Sequence, residues 1–175
     1  GLQGPTRYTV GPFGSLFLVA DGMGGAAGGA TASAMASRVI HGLMTTQWVE
    51  ERTRIPTVFA RHLRSALEQA NHLIHARAHR EGELRGMGTT ATAVGVLDAH
   101  LLLAQVGDSR AYLIRGGVAT QLTRDQSVVQ MLQETGQLDE ASARIDQRSN
   151  LILQALGTAA EVDVDLTHQP LRRND

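Results

Sequence analysis

The stretch Thr89–Leu122 reads TTATAVGVLDAHLLLAQVGDSRAYLIRGGVATQL. Its hydrophobic period is two, and it divides into four strand-like runs: Thr89–Leu97, Leu101–Val106, Arg110–Ile114 and Val118–Leu122. Asp98–His100 is short enough for a hairpin turn, and Gly116-Gly117 is a strong two-residue hairpin signal. Runs joined this closely form an antiparallel meander. Upstream the period changes. Phe59, Leu63, Ala66, Leu67, Ala70, Leu73 and Ile74 recur at three and four, which predicts a helix over Thr57–Arg80, opened by Ile55-Pro56. Ala30–Thr46 predicts another, with Met35, Val39, Leu43 and Met44 at helical spacing, and Trp48–Arg54 reads as a polar connection. Ser15–Asp21 (SLFLVAD) is an apolar run ending in an acid, a buried strand, and Tyr8–Val10 reads as the tail of an earlier one. A strand, two long helices and then a meander argue for an α+β fold rather than a doubly wound parallel sheet.

Working outward, Glu81–Gly88 reads as a loop. Ser127–Thr135 is a short helix stopped by Gly136. Leu138–Asn150 is polar and irregular, Asn150–Leu156 is a short apolar segment, and Glu161–Leu166 alternates like an edge strand. No linker or repeat divides the 175 residues, so one domain is expected. The composition, 42% hydrophobic and 19% charged, is that of a folded globular chain. Sixteen basic residues, all Arg, nearly balance seventeen acidic ones. No basic excess points to nucleic acid. The absence of Lys removes Schiff-base and P-loop chemistry, and the absence of Cys removes thiolate nucleophiles and Cys-bound zinc. No apolar run approaches the roughly 18 residues of a membrane span, and the first residues do not read as a signal peptide.

Leu16–Ser33, LFLVADGMGGAAGGATAS, carries the first chemical signal. A buried strand delivers Asp21 to an edge, where glycines turn the backbone. A carboxylate beside bare backbone suits a hard cation, with the Asp21 side chain and the Gly22 carbonyl as oxygen ligands. A plain strand–turn–helix junction, with Asp21 accepting from turn amides, stays open. Gly22-Met23-Gly24-Gly25-Ala26-Ala27 also fits the dinucleotide pattern G-x-G-x-x-A. Asp21 would repel a pyrophosphate there, however, and no acid follows about twenty residues on.

The same grammar recurs in Val106-Gly107-Asp108, which makes Asp108 a second candidate metal carboxylate. Its alternative is a turn aspartate held by Arg110, and Arg110 is expected to orient Asp108 rather than meet a phosphate. The hydroxyls of Thr89 and Thr90 are expected to pair with backbone. His72, His75 and His79 share a helix face rich in Arg and Glu, which reads as a solvated surface rather than a zinc site. Asp98 and His100 are explained by turn chemistry. Asp125 reads as an Asx-turn or cap residue before a helix, Asp163 and Asp165 as solvent-facing acids, and Asp175 carries no functional weight.

Five segments in order, VADGMGG, GMGTTATA, QVGDSRAYLIRGG, QLTRDQSVVQML and NLILQALGT, resemble the bacterial metal-dependent protein phosphatases of type 2C. The resemblance runs from Ser15 to Thr158. It implies a β-sandwich of two antiparallel sheets flanked by helical pairs. It also implies hydrolysis of phosphoserine and phosphothreonine in proteins at a Mn²⁺ or Mg²⁺ cluster. By position, Asp21 matches the acid that bridges two metals and is the catalytic candidate. Gly22 matches a carbonyl ligand, and Asp108 matches an acid serving a third metal. No organic cofactor is implied. Met23 stands where some relatives carry a His that acts as a general acid, which leaves that proton to water. Thr135–Asn150 matches a mobile flap beside the active site.

Two family segments have no counterpart. An N-terminal strand bearing a phosphate-binding Arg and another metal-site acid is not found before Ser15, where Arg7 stands alone. The Ser-Asp-Gly and Asp-Asn segments that complete the metal cluster would follow Val162–Leu166. Residues 1–175 are therefore expected to form a single phosphatase-type domain, incomplete at both ends. The implied substrates are phosphoproteins made by a serine/threonine kinase in the cytoplasm. The rival reading is a non-catalytic phosphatase-like module that binds phosphoproteins or regulates a kinase.

Overall fold

The computed structural model describes residues 11–175, so the expected strand tail at Tyr8–Val10 lies outside them. The strands are β1 (Ser15–Val19), β2 (Gly22–Met23), β3 (Gly88–Thr89), β4 (Ala91–Leu97), β5 (His100–Val106), β6 (Tyr112–Arg115), β7 (Val118–Gln121) and β8 (Asp165–Pro170). The helices are α1 (Ala26–Leu43), α2 (Val49–Glu51), α3 (Pro56–Arg80), α4 (Val128–Glu134) and α5 (Glu140–Ala143). A four-stranded antiparallel sheet in the order β1-β4-β5-β8 forms the centre, beside two small ribbons, β2–β3 and β6–β7. The α+β class expected from the meander is the one observed.

One face of the central sheet lies under the packed pair α1 and α3. Ala91, Ala93, Leu97, Leu102, Ala104 and Val106 meet Ala32, Ala36, Ile40, Phe59, Leu63 and Leu67 in one buried cluster. Burial of this area is the main stabilising term. At Gly95, a Cβ would sit 2.1 Å from Phe59 Cε1, so the missing side chain is what lets the ring lie on the sheet. Leu73, expected in the core, is 51% exposed, because the buried stripe of α3 passes through Ala70, Asn71 and Ile74 instead. The β6–β7 hairpin turns at Gly116 and Gly117 with φ of 58° and 82°, as a tight two-residue turn requires. It is tied to β8 where Thr167 Oγ1 donates to Leu122 O (3.2 Å) and Arg115 Nη2 donates to Pro170 O (3.0 Å).

Several boundaries move, for tertiary reasons. Trp48–Arg54 is not simply a polar connection: α1 widens into a π turn at Met44–Trp48 and continues through α2 to Glu51. Trp48 is only 2% exposed, stands edge-on to Phe59 at 4.9 Å and donates its indole N–H to Phe13 O. The last strand is Asp165–Pro170 rather than Glu161–Leu166. Asp163 N–H donates to Gln154 Oε1 (2.8 Å) and Asp163 O accepts from Gln126, so pairing with β5 begins at Gln105↔Asp165. Within Leu138–Asn150, the Asp139 carboxylate accepts Ser142 N–H (2.9 Å) and caps α5, a helix too short to show a hydrophobic period.

Candidate functional site

Strands β1 and β5 both run antiparallel to β4, one on each side of it. The register Val19↔Thr92 and Val106↔Ala91 brings their C-terminal ends level with the first residue of β4. Two residues beyond each strand end lie Asp21 and Asp108. The topology thus carries both expected acids to the same end of the sheet, flanking the residue before β4, Thr90. Thr90 binds both turns. Its N–H donates to Asp21 O (2.9 Å), its Oγ1 accepts Asp21 N–H (3.2 Å), and the same oxygen lies 2.8 Å from Ser109 Oγ. Thr89 Oγ1 adds a second donor to Asp21 O (2.9 Å). The backbone of Asp21 is therefore fully engaged. Its carboxylate is exposed and, among the described residues, takes no hydrogen bond or ion pair. That removes the alternative in which Asp21 accepts from turn amides.

Gly22 and Gly29 meet backbone to backbone. A Cβ on Gly22 would stand 2.0 Å from Gly29 O, so the start of α1 can approach the acid-bearing turn only because both residues are glycine. Asp21 and Thr90 form a hydrogen-bonded pair, so alternation along the ribbon turns the Gly22 carbonyl away from β3.

The Asp108 turn is held still more firmly. Gly107 has φ of 107°, and a Cβ there would lie 2.6 Å from Thr90 Cγ2. Two buried glutamines bind the backbone on either side of Asp108. Gln105 Nε2 donates to Gly107 O (2.9 Å) and Ser109 O (3.1 Å). Gln126 Oε1 accepts Gly107 N–H (2.8 Å) while its own N–H donates to Gly107 O (3.0 Å). Gln126 Nε2 reaches on to Asp163 O (3.1 Å) and Asp165 Oδ2 (3.2 Å), joining the turn to the entry of β8. Asp108 is half-buried and its carboxylate, like that of Asp21, has no partner among the described residues. A rigid backbone with an uncommitted side chain suits a ligand-bearing turn, because no internal bond must break when a ligand arrives.

The expected partnership of Arg110 with Asp108 does not form. Arg110 Nε donates to both oxygens of Asp125 (3.0 and 2.9 Å) and Nη2 donates to Oδ2 (2.6 Å). This bidentate bond raises the guanidinium pKa above its ordinary value. Asp125 is buried by that pair and is no cap. The cap of α4 is Ser127, whose hydroxyl accepts Gln130 N–H. Asp98 pairs with Arg54, and Asp175 pairs with Arg115. Asp163 is exposed and outside the ladder, and Asp165 is half-buried against Gln126. His72 and His79 are exposed and His75 is half-buried on α3, with the His75 and His79 rings 4.2 Å apart.

Gln105, Gln126 and Thr90 were not among the candidates that sequence reasoning singles out as functional. An uncharged amide in a polar segment carries no periodic signal. For Gln105, an amide inside the apolar run LLLAQV was the available clue.

Oxygen donors, a carboxylate type and bare backbone fit a hard divalent cation in kind. In number they fall short: no group of three or more His, Asp or Glu able to hold a metal forms among the described residues. A hard ion wants about six oxygens, so water or segments other than residues 11–175 must supply the rest.

Known proteins carry the same frame. The family model for protein phosphatase 2C matches residues 5–156. The serine/threonine phosphatase Stp of Listeria monocytogenes is 38% identical over 162 residues, which are 91% of this chain and 62% of that protein. The chain thus spans less than two thirds of the length of this relative. The crystal structure of the catalytic domain of serine/threonine protein phosphatase PstP in complex with two manganese ions superposes with a TM-score of 0.73 at 32% identity, covering 95% of this chain and 69% of that one. The Streptococcus agalactiae serine/threonine phosphatase gives a TM-score of 0.81 at 29% identity, covering 95% and 71%. With the family model spanning most of its length and its antiparallel frame shared with these structures, the chain belongs to the protein phosphatase 2C family.

Proposed function

We propose that the domain containing this chain hydrolyses phosphoserine and phosphothreonine in proteins with the help of Mn²⁺ or Mg²⁺. The observation that carries this reading is the pair of uncommitted carboxylates, Asp21 and Asp108, at one end of the sheet on either side of Thr90. The manganese ions in the PstP structure support the choice of metal. In this reading the Asp21 carboxylate and the Gly22 carbonyl hold the central ions, and Asp108 holds a peripheral one. Such ions supply polarisation of the phosphoryl oxygens and of an attacking water. Thr90 keeps the two acidic turns in register, and Gln105 and Gln126 fix the backbone that aims Asp108. Met23 has no titratable group, so the leaving oxygen takes its proton from solvent. Residues 1–175 supply only part of a phosphatase-type domain, and by themselves bind metal weakly. The substrates are phosphoproteins made by a serine/threonine kinase, met in the cytoplasm. No helix of the described residues is long and apolar enough to cross a membrane.

The rival, a non-catalytic binding module, has no use for two unpaired carboxylates at one end of the sheet. The test is turnover of p-nitrophenyl phosphate and of a phosphoserine peptide by the full-length protein with Mn²⁺. Chelator-sensitive turnover of both is expected. Its absence would leave the binding module.

A further inference from the structure

A cavity of about 510 Å³ opens at the C-terminal end of α3, its walls including His79, Gly82, Arg85, Gly86, Gly157 and Thr158. It adjoins the ribbon that carries Gly22. A Cβ on Gly24 would stand 2.7 Å from Gly86 O, and one on Gly88 would stand 2.8 Å from Thr158 Cγ2 and 3.4 Å from Met23 Cγ. Met23, paired with Gly88 across the ribbon, is the chain neighbour of Gly22.

No carboxylate lines the cavity. Its one permanently charged side chain is that of Arg85. Arg85 is exposed, and among the described residues its guanidinium takes no hydrogen bond or ion pair. This distinguishes it from Arg77, which is spent on Glu81 through two bonds of 3.0 and 3.1 Å. His79 bonds through Nδ1 to His75 O (2.9 Å), and its other ring nitrogen takes no bond among the described residues. Three of the walls are glycine, so a peptide backbone can come close. The chamber is also held open. Asn71, buried on α3, accepts Gly157 N–H on Oδ1 (2.7 Å) and donates Nδ2 to Ala159 O and Ala160 O (both 3.1 Å). Gly157 has φ of 93°, and a Cβ there would strike Ile74 Cγ2 at 2.3 Å.

We propose that this cavity is an anion subsite that takes an acidic side chain of the peptide flanking the phosphoserine, with Arg85 as its specificity-determining residue. The proposal rests on the phosphatase reading, because the neighbouring Asp21–Gly22 turn is taken as the reacting end. The cavity is larger than one carboxylate or phosphate needs, which favours a side chain with its backbone over a free ion. Arg supplies the planar fork that carboxylates match. A charge partner of this kind sorts substrates more than it strengthens binding to all of them.

The test compares the full-length wild type with Arg85→Gln and Arg85→Glu on three substrates in Mn²⁺: p-nitrophenyl phosphate, a phosphoserine peptide with Glu neighbours, and the same peptide with Gln neighbours. Arg85→Glu is expected to raise KM for the Glu peptide by roughly fivefold or more, with Arg85→Gln between it and wild type. Constants for p-nitrophenyl phosphate should stay unchanged, because that substrate is too small to span both places. Equal losses on all three substrates, or none, would overturn the proposal. Titration with the unphosphorylated Glu peptide and with inorganic phosphate separates the ligand sources: only the peptide should lose affinity in Arg85→Glu. A loss for phosphate alone would make the cavity a product site and refute the peptide assignment. Failure of wild type to turn over p-nitrophenyl phosphate would instead refute the phosphatase reading, while the peptide titration would still report on the cavity.

Discussion

Replacing Gln126 by Ala removes one side chain from the junction of three segments. Its Oε1 is the acceptor for Gly107 N–H at 2.8 Å, in a buried bond. With that acceptor gone, the N–H faces the interior unpaired, which costs about 1–3 kcal/mol. The two bonds from Nε2, to Asp163 O and Asp165 Oδ2, are only partly buried. Water replaces them in part, and their loss costs about 0.5–1 kcal/mol together. Gln126 is itself only 5% exposed, so a small void adds to the sum. The expected destabilisation is about 2–4 kcal/mol. In urea, with a slope of about 2 kcal/mol/M, the unfolding midpoint falls by about 1–2 M. The companion Gln126→Glu keeps an acceptor for Gly107 N–H but sets a second carboxylate against Asp165. Like charge raises the pKa of the new acid in the folded state. Its folded form is then favoured below the unfolded carboxylate pKa, and that advantage disappears as pH rises through the raised value. The Glu variant should therefore approach wild-type stability in mild acid and fall away toward neutrality. A midpoint for Gln126→Ala within about 0.2 M of wild type would refute the reasoning. So would a Glu variant whose deficit does not change with pH.

Asp21→Ala should abolish Mn²⁺-dependent turnover while leaving the stability measured in urea within about 0.5 kcal/mol of wild type, since its carboxylate has no internal bond to lose; retained activity would make Asp21 a turn residue only. Gly29→Ala should destabilise by about 1–3 kcal/mol or prevent folding, because its Cβ would stand 2.7 Å from Gly22 C, and thermal unfolding measures it. Gly25→Ala is the contrast: no heavy atom lies within 4 Å of its Cβ, although its φ of 82° still strains alanine, so its loss should be the smaller. Glu134, bonded by Arg124, has its carboxyl lowered from 4.5 to about 2. A depressed folded pKa gives stability that is present above 4.5 and lost as pH falls toward 2. Arg124→Gln should flatten that part of the stability–pH curve, and an unchanged acid limb would show that the pair is inert.

What the chain's order of residues determines is local. The period-two runs from Thr89 and the three-and-four spacing through Thr57–Arg80 encode strand and helix, because each pattern repeats within one turn or one pleat. Asp21 and Asp108 were legible for the same reason: each closes an apolar strand beside a glycine, and the chemistry of a carboxylate on bare backbone needs no distant partner to be noticed. Fold class and the position of both acids just beyond strand ends were therefore readable from the sequence. Which groups those acids and their neighbours meet was not. Arg110 lies two residues from Asp108 in sequence yet spends its guanidinium on Asp125, fifteen residues on. The last strand begins at Asp165 only because Gln126 and Gln154 hold Asp163 out of the ladder. Trp48, in a segment that reads as polar, is buried because α3 brings Phe59 to it. These choices depend on which segments the packed sheet and helices bring within about 3 Å, and hydrogen bonds at that range leave no periodic trace in the sequence. The cavity at Arg85 belongs with them. Its walls come from the end of α3, the approach to β3 and the turn at Gly157, and only their meeting in three dimensions turns an unpaired arginine into part of a site.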